Sequence, residues 1–151
     1  MAQIHPYPVK VVWSGGRDGS GVVTPEHSGV ELPIAVPKEF QGTGDGTNPE
    51  ELLAAAVAAC YSITFGIIAA NRRLPVASVE TSAVGEVEQA GAQFTYKKIT
   101  IQPHIRLAAE ATDDQLKLTE DMAHKADGYC IITNAVRGKV EIVVEPRIER
   151  G

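Results

Sequence analysis

Residues 48–70 read NPEELLAAAVAACYSITFGIIAA, and the fold follows from how this stretch is interpreted. Asn48 is a good helix N-cap and Pro49 suits the first helical position. Glu50 and Glu51 place negative charge against the positive end of the helix dipole. From Leu52 to Ala70, nineteen residues carry no charge, which approaches the length of a membrane span. Seven of the nineteen are alanine, and Cys60, Tyr61, Ser62, Thr64 and Gly66 lower the apolarity further. The segment also sits between strand-forming halves of a small chain. A helix apolar on every side in that position is predicted to be a central helix, buried by its own sheet or by a second subunit. Its small residues permit close approach of another helix, which suggests a dimer.

Strand signals lie on both sides of this helix. On the N-terminal side, the loop Gln41 to Thr47 holds three glycines. Before it, Val30, Leu32, Ile34 and Val36 alternate with Glu31, Pro33 and Ala35, which is strand periodicity. Pro33 predicts an edge position, and Pro25 to Gly29 supplies the preceding turn. Val9 to Trp13 is a short β-rich run ended by Ser14-Gly15-Gly16. On the C-terminal side, Val76 to Glu88 reads as a strand. Ile99, Ile101, Pro103, Ile105 and Leu107 then form one face of the next strand, with Thr100, Gln102, His104 and Arg106 opposite. Thr112-Asp113-Asp114-Gln115 is a capping box opening a helix that Gly128 is expected to close. A short helical piece around Tyr129 to Val136 follows, and then a last strand with Val140, Ile142 and Val144 on one face. The predicted class is α+β, antiparallel strands around a long buried helix, in one domain spanning residues 1–151.

The composition bounds what such a domain does. With 151 residues, 44% hydrophobic and 22% charged, the chain has enough apolar side chains for a core. The net charge of −5, without basic runs interleaved with aromatics, argues against nucleic acid as a partner. Met1 to Tyr7 lacks a basic stretch followed by an apolar one, so no secretory signal is expected. The two cysteines, 70 positions apart, match no zinc pattern. His5, His27, His104 and His124 have no ligand spacing, and no metal or cofactor is expected.

Taken singly, the candidate chemical residues have bland explanations. Cys60 in mid-helix and Cys130 are of the size and type that fill cores. Arg17, in Gly15-Gly16-Arg17-Asp18-Gly19, reads as a solvated turn residue. Glu50 has a sufficient role at the helix N-terminus.

Several motifs together say more. Val36-Pro37-Lys38-Glu39-Phe40, followed by Gly46-Thr47-Asn48-Pro49-Glu50-Glu51-Leu52 and Ala58-Ala59-Cys60, resembles the OsmC/Ohr family of peroxidases. The early Gly-Gly-Arg-Asp-Gly resembles the organic hydroperoxide resistance branch in particular. So does Thr133-Asn134-Ala135-Val136-Arg137-Gly138 after Cys130. The resemblance runs over essentially the whole chain. It implies an intertwined homodimer in which Cys60 is the peroxidatic cysteine and Cys130 the resolving one. Arg17 would activate the thiolate and Glu50 orient Arg17. It further implies a bacterial cytoplasmic enzyme of oxidative-stress defence, recharged by a dithiol such as a lipoyl-bearing protein. One departure stands out: the family usually follows its second cysteine with proline, whereas this chain reads Cys130-Ile131-Ile132-Thr133.

The residue types suit the reaction. A thiol of pKa near 8.5 is only about 3% ionised at pH 7. A cation about 4 Å away contributes up to about 4 kcal/mol at an effective dielectric near 20, enough to ionise it. Arginine stays charged in an apolar pocket and holds a carboxylate bidentately. A sulfenic acid formed on one cysteine condenses with a nearby thiol, which protects it from over-oxidation. Leu53, Phe65, Tyr129 and Ile131 are candidates to line an apolar mouth for alkyl or lipid hydroperoxides.

Glu50 and Cys60 lie about 15 Å apart along one helix at about 1.5 Å per residue. They also face directions about 80° apart at 100° per residue. A Glu50 that serves an arginine touching Cys60 is therefore expected to come from the partner helix of a two-fold dimer. Two other readings remain open on sequence: a non-enzymatic dimer that binds apolar ligands, and a cysteine hydrolase with a histidine base.

Overall fold

The computed structural model describes residues 1–151, which divide into two compact units, Met1–Leu52 and Leu53–Gly151. The first unit is a three-stranded antiparallel sheet in the order β1-β2-β3, with β1 Val9–Ser14, β2 Ser20–Pro25 and β3 Leu32–Ile34. β1 and β2 form a hairpin in register from Val9↔Pro25 to Ser14↔Ser20. Its turn needs glycine at Gly19, where a Cβ would lie 2.3 Å from the Ser14 carbonyl oxygen. Pro33 does lie on an edge strand, but β3 is only three residues long. The chain then leaves the sheet through a 3₁₀ turn, Lys38–Phe40. It returns at Thr47, whose N–H donates to Pro33 O at 2.9 Å and whose carbonyl accepts from Ala35 N–H at 3.0 Å.

Helix α1, Pro49–Asn71, begins in the first unit and continues through the second. Its start is capped as expected: Glu51 N–H donates to Asn48 Oδ1 at 2.9 Å. The Thr47 hydroxyl adds a 2.8 Å bond to Glu51 Oε1.

In the second unit, β4 Val76–Ala90 and β5 Gln93–Leu107 form a long antiparallel hairpin. The predicted face of β5 is the buried one: Ile99, Ile101, Pro103, Ile105 and Leu107 are all enclosed. Val57, Tyr61, Phe65 and Ala69 of α1 pack into the same core. These four recur at every fourth position, so they form one stripe of the helix. The opposite stripe is also apolar, yet Ile63 and Ile67 are 64% and 58% exposed. The sequence predicts a helix buried all round; a single chain covers only one side. By length and composition α1 could cross a membrane, but its Tyr61–Phe65 side is packed against the sheet.

The C-terminal part departs from the all-antiparallel expectation. β6 Glu141–Val144 and β7 Arg147–Arg150 both pair parallel to β5, making the sheet mixed. Parallel neighbours need a crossover, supplied here by α2 Asp113–Lys125, a 3₁₀ turn Ala126–Tyr129 and α3 Ile131–Val136. Pro146, which has no N–H, separates β6 from β7. The capping box at Thr112 and Gln115 is formed, with reciprocal bonds of 3.1 and 2.9 Å. Gly128 does not close α2. The helix ends at Lys125, and Gly128 belongs to the 3₁₀ turn that follows.

Candidate active site

The two cysteines, far apart in sequence, are brought together within the second unit. Cys60 lies mid-way along α1, half-buried, and Cys130 is fully buried between the 3₁₀ turn and α3. Neither is in a disulfide. Cys130 is the N-cap of α3: at φ −82° and ψ 115° its backbone is extended, and its sulfur accepts the Thr133 N–H at 3.4 Å. Cysteine thus fills a position usually held by serine, threonine, asparagine or aspartate.

The environment makes the two thiols unequal. Burial pushes the Cys60 thiol up, but a hydrogen bond with the Cys130 thiol acts against it. The Ile132 backbone, the Thr64 hydroxyl and the Ile131 backbone act in the same direction, and the outcome is a pKa below the ordinary thiol value. Cys130 moves the other way. Burial raises it, the bond it gives to Cys60 raises it further, and Thr133 offsets only part of this. The pair is therefore polarised, with negative charge favoured on Cys60 and the proton retained on Cys130.

Thr64 and Thr133 were not singled out from sequence. Thr64 sits one helical turn after Cys60, with Oγ1 4.0 Å from the sulfur, a neighbour that helical spacing alone identifies. Thr133 is buried beside Cys130.

The candidate mouth residues divide. Tyr129 and Ile131, which flank Cys130, are 69% and 79% exposed. Leu53 is half-buried against the core. Phe65 lies elsewhere: it is fully enclosed in the core, stacked on Tyr61 with ring centroids 6.5 Å apart. It faces the sheet because it shares the buried stripe of α1 with Val57 and Tyr61.

Glu50 lines a cavity in the first unit, and Arg17 bonds to another residue that lines it. The exposed Arg17 guanidinium donates to the Phe40 carbonyl at 2.8 Å. Phe40 and Glu50 both line a cavity of about 340 Å³, together with Val11, Trp13, Ile34 and Val36. Apart from the Glu50 carboxylate, its walls are apolar side chains and backbone. An acid thus stands in the wall of an apolar space, and a cation holds the backbone of Phe40, another residue of that wall.

Comparison with known proteins agrees with this architecture. Residues 42–145 match the family model described as OsmC-like protein. The chain is 34% identical over 151 residues to the uncharacterized protein YmaD of Bacillus subtilis, covering 100% of this chain and 99% of that one. It is 28% identical over 144 residues to the organic hydroperoxide resistance protein of Xanthomonas axonopodis pv. citri, covering 91% and 92%. Its fold is shared with an OsmC-like protein of unknown function from Vibrio cholerae. There the TM-score is 0.79 at 22% identity, over 95% of this chain and 99% of that one. With the family model spanning more than half of its length and a relative above 30% identity along all of it, the chain belongs to the OsmC-like family.

Proposed function

We propose that this protein is a thiol peroxidase that reduces organic hydroperoxides, with Cys60 as the peroxidatic cysteine and Cys130 as the resolving one. The observation that carries this reading is that two thiols 70 positions apart meet: Cys60, half-buried on α1, and Cys130, fully buried at the cap of α3, lie in hydrogen-bond contact and unbridged. The names of relatives as organic hydroperoxide resistance protein and peroxiredoxin OsmC support the same activity.

In the first step the Cys60 thiolate attacks the terminal oxygen of the hydroperoxide. The O–O bond breaks, the alkoxide leaves and takes a proton, and Cys60 is left as a sulfenic acid. In the second, the Cys130 sulfur attacks the Cys60 sulfur. The S–O bond breaks, hydroxide leaves and combines with the Cys130 proton as water, and the Cys60–Cys130 disulfide remains. A dithiol reductant, such as a lipoyl-bearing protein, supplies the two electrons that reopen it.

Arg17 activates the thiolate and Glu50 orients Arg17; in support, Glu50 lines an apolar cavity and Arg17 bonds the carbonyl of Phe40, which lines the same cavity. Tyr129 and Ile131 present exposed apolar surface on either side of Cys130, and Leu53 lies about two turns before Cys60 on α1, a setting that favours alkyl or lipid hydroperoxides over hydrogen peroxide. The working form is a homodimer. The uncovered apolar stripe of α1, with Ala59, Ile63 and Ile67, suits a second copy of the helix. A partner helix also solves the spacing of about 15 Å between Glu50 and Cys60 on one continuous helix. The protein works in the cytoplasm as part of oxidative-stress defence.

The test is steady-state consumption of cumene hydroperoxide with dihydrolipoamide as reductant. Wild type is expected to turn over and Cys60→Ser to lose activity. Equal activity in the two would refute the assignment.

A further inference from the structure

The segment after Cys130 contains an arginine to which the proposed reaction assigns no role. Arg137 is the C-cap of α3, so the six-residue helix runs from Cys130 at one end to Arg137 at the other. The Arg137 side chain folds back across the helix. One terminal nitrogen donates both to the Asp127 carboxylate at 3.1 Å and to the Asp127 backbone carbonyl at 3.2 Å. Its Nε donates to Asn134 Oδ1 at 3.1 Å.

Asn134 extends the network. Its side-chain amide donates to the Gly128 carbonyl at 3.0 Å, and its backbone N–H donates to the Cys130 carbonyl at 2.9 Å. The Cys130 N–H in turn donates to the Asp127 carbonyl at 3.2 Å, the same oxygen that Arg137 contacts. The bonds thus enclose Cys130, tying residues before it to residues after it.

Cys130 and Thr133 are buried and Ile132 and Val136 pack on the core, but the backbone on either side of the cysteine has little regular structure of its own. A single 3₁₀ turn precedes Cys130, and α3 is too short to be stable by its own backbone bonds. Tyr129 and Ile131, the immediate neighbours of Cys130, are largely exposed. The Arg137–Asp127 pair is half in solvent, with side chains 46% and 17% exposed, so its charge alone contributes little to stability. Its geometry matters more, because the fork of one guanidinium fixes three acceptors at once.

We propose that Arg137, through Asp127 and Asn134, is a positioning residue that clasps the Cys130 turn and sets the rate at which Cys130 closes on oxidised Cys60. The inference rests on the two-cysteine reading above and deepens it. Arg137 touches neither sulfur. It acts on the second step, where the Cys130 sulfur must come into line with the Cys60 sulfur as hydroxide leaves. The first step, attack of Cys60 on the peroxide, feels the turn only through the hydrogen bonds that Cys130, Ile131 and Ile132 make to the Cys60 thiol, and that influence vanishes at a pH where Cys60 is fully ionised.

The test separates the two steps in a single turnover. Reduced wild type, Arg137→Ala, Arg137→Lys and Asn134→Ala are mixed with one equivalent of cumene hydroperoxide and quenched over time. Mass spectrometry then follows sulfenic acid, disulfide and sulfinic acid. Urea unfolding of each variant identifies any that is simply unfolded, and Asn134→Ala keeps the test decisive if Arg137→Ala is one of them. The reactions are run above the ordinary thiol pKa range, where Cys60 is ionised in every variant, and there Cys60 oxidation is expected at the wild-type rate. Disulfide closure is expected to slow about ten- to a hundredfold, the scale of a misplacement of about an ångström. Sulfinic acid is expected to accumulate on Cys60, and Arg137→Lys, which keeps the charge but not the fork, to fall between wild type and Arg137→Ala. Closure at the wild-type rate in the folded variants, or equal slowing of both steps, overturns the clasp alone. A wild type that closes no disulfide overturns the two-cysteine reading, and the clasp with it.

Discussion

The Cys130 sulfur serves two neighbours at once, accepting the Thr133 N–H as cap of α3 and sharing a hydrogen bond with the Cys60 thiol. Capping fixes where the sulfur points, and burial keeps its proton on. Cys60, half-buried and facing several hydrogen-bonding groups, gives its proton up more easily. The proposed division of labour between the two thiols rests on these positions.

Alkylation rates should show the division directly. The Cys60 labelling rate, followed by peptide mass spectrometry in iodoacetamide, is expected to rise at a pH below the ordinary thiol range, and that of Cys130 above it. Because Cys60 is depressed, its contribution to stability is fully present above the unfolded thiol pKa and is lost as pH falls through the folded value. Cys130→Ala removes a hydrogen-bond partner of Cys60 and is expected to shift the Cys60 profile upward. Superimposable profiles for the two cysteines would contradict the account.

The uncovered stripe of α1 predicts oligomeric state. Wild type is expected to sediment as a dimer. Ile63→Arg, placing charge in the middle of the exposed apolar face, is expected to shift it toward monomer and to lower peroxidase activity together with dimer content. A fully active monomer would remove the argument for Glu50 acting across subunits.

Phe65 is predicted to matter for stability. Phe65→Ala empties a site enclosed by α1 and β5 and is expected to cost about 3–5 kcal/mol, measured by urea unfolding. Tyr61→Phe is milder. It removes the donor to the buried Ala123 carbonyl, and a stranded acceptor costs about 1–3 kcal/mol. Burial, aided by the nearby charge of Asp127, raises the Tyr61 pKa well above that of a free tyrosine. The phenol therefore stays protonated and the bond is expected to persist at alkaline pH.

Sequence and structure agree where one-sided burial dictates pattern. β5 was legible because every second side chain from Ile99 to Leu107 is enclosed. The start of α1 was legible because Asn48, Pro49 and Glu51 each do a local job there. β2 was not, since Ser20-Gly21-Val22-Val23-Thr24-Pro25 is short and opens with two weak strand formers. The direction of β6 and β7 depends on a crossover, which alternation does not encode. At the candidate site, the two cysteines, Arg17 and Glu50 could be named through family resemblance. The capping role of Cys130 could not, because cysteine is not a customary cap. The reach of Arg137 back to Asp127 spans a fold in the chain that no local pattern reveals.

The most direct test is a thiol count by mass spectrometry on reduced protein treated with one equivalent of cumene hydroperoxide, in wild type, Cys60→Ser and Cys130→Ser. The account predicts loss of both thiols as one intramolecular disulfide in wild type, no reaction in Cys60→Ser, and arrest at a Cys60 sulfenic acid in Cys130→Ser. Survival of both thiols in wild type would contradict it and leave Cys60 and Cys130 as core residues of a non-enzymatic protein.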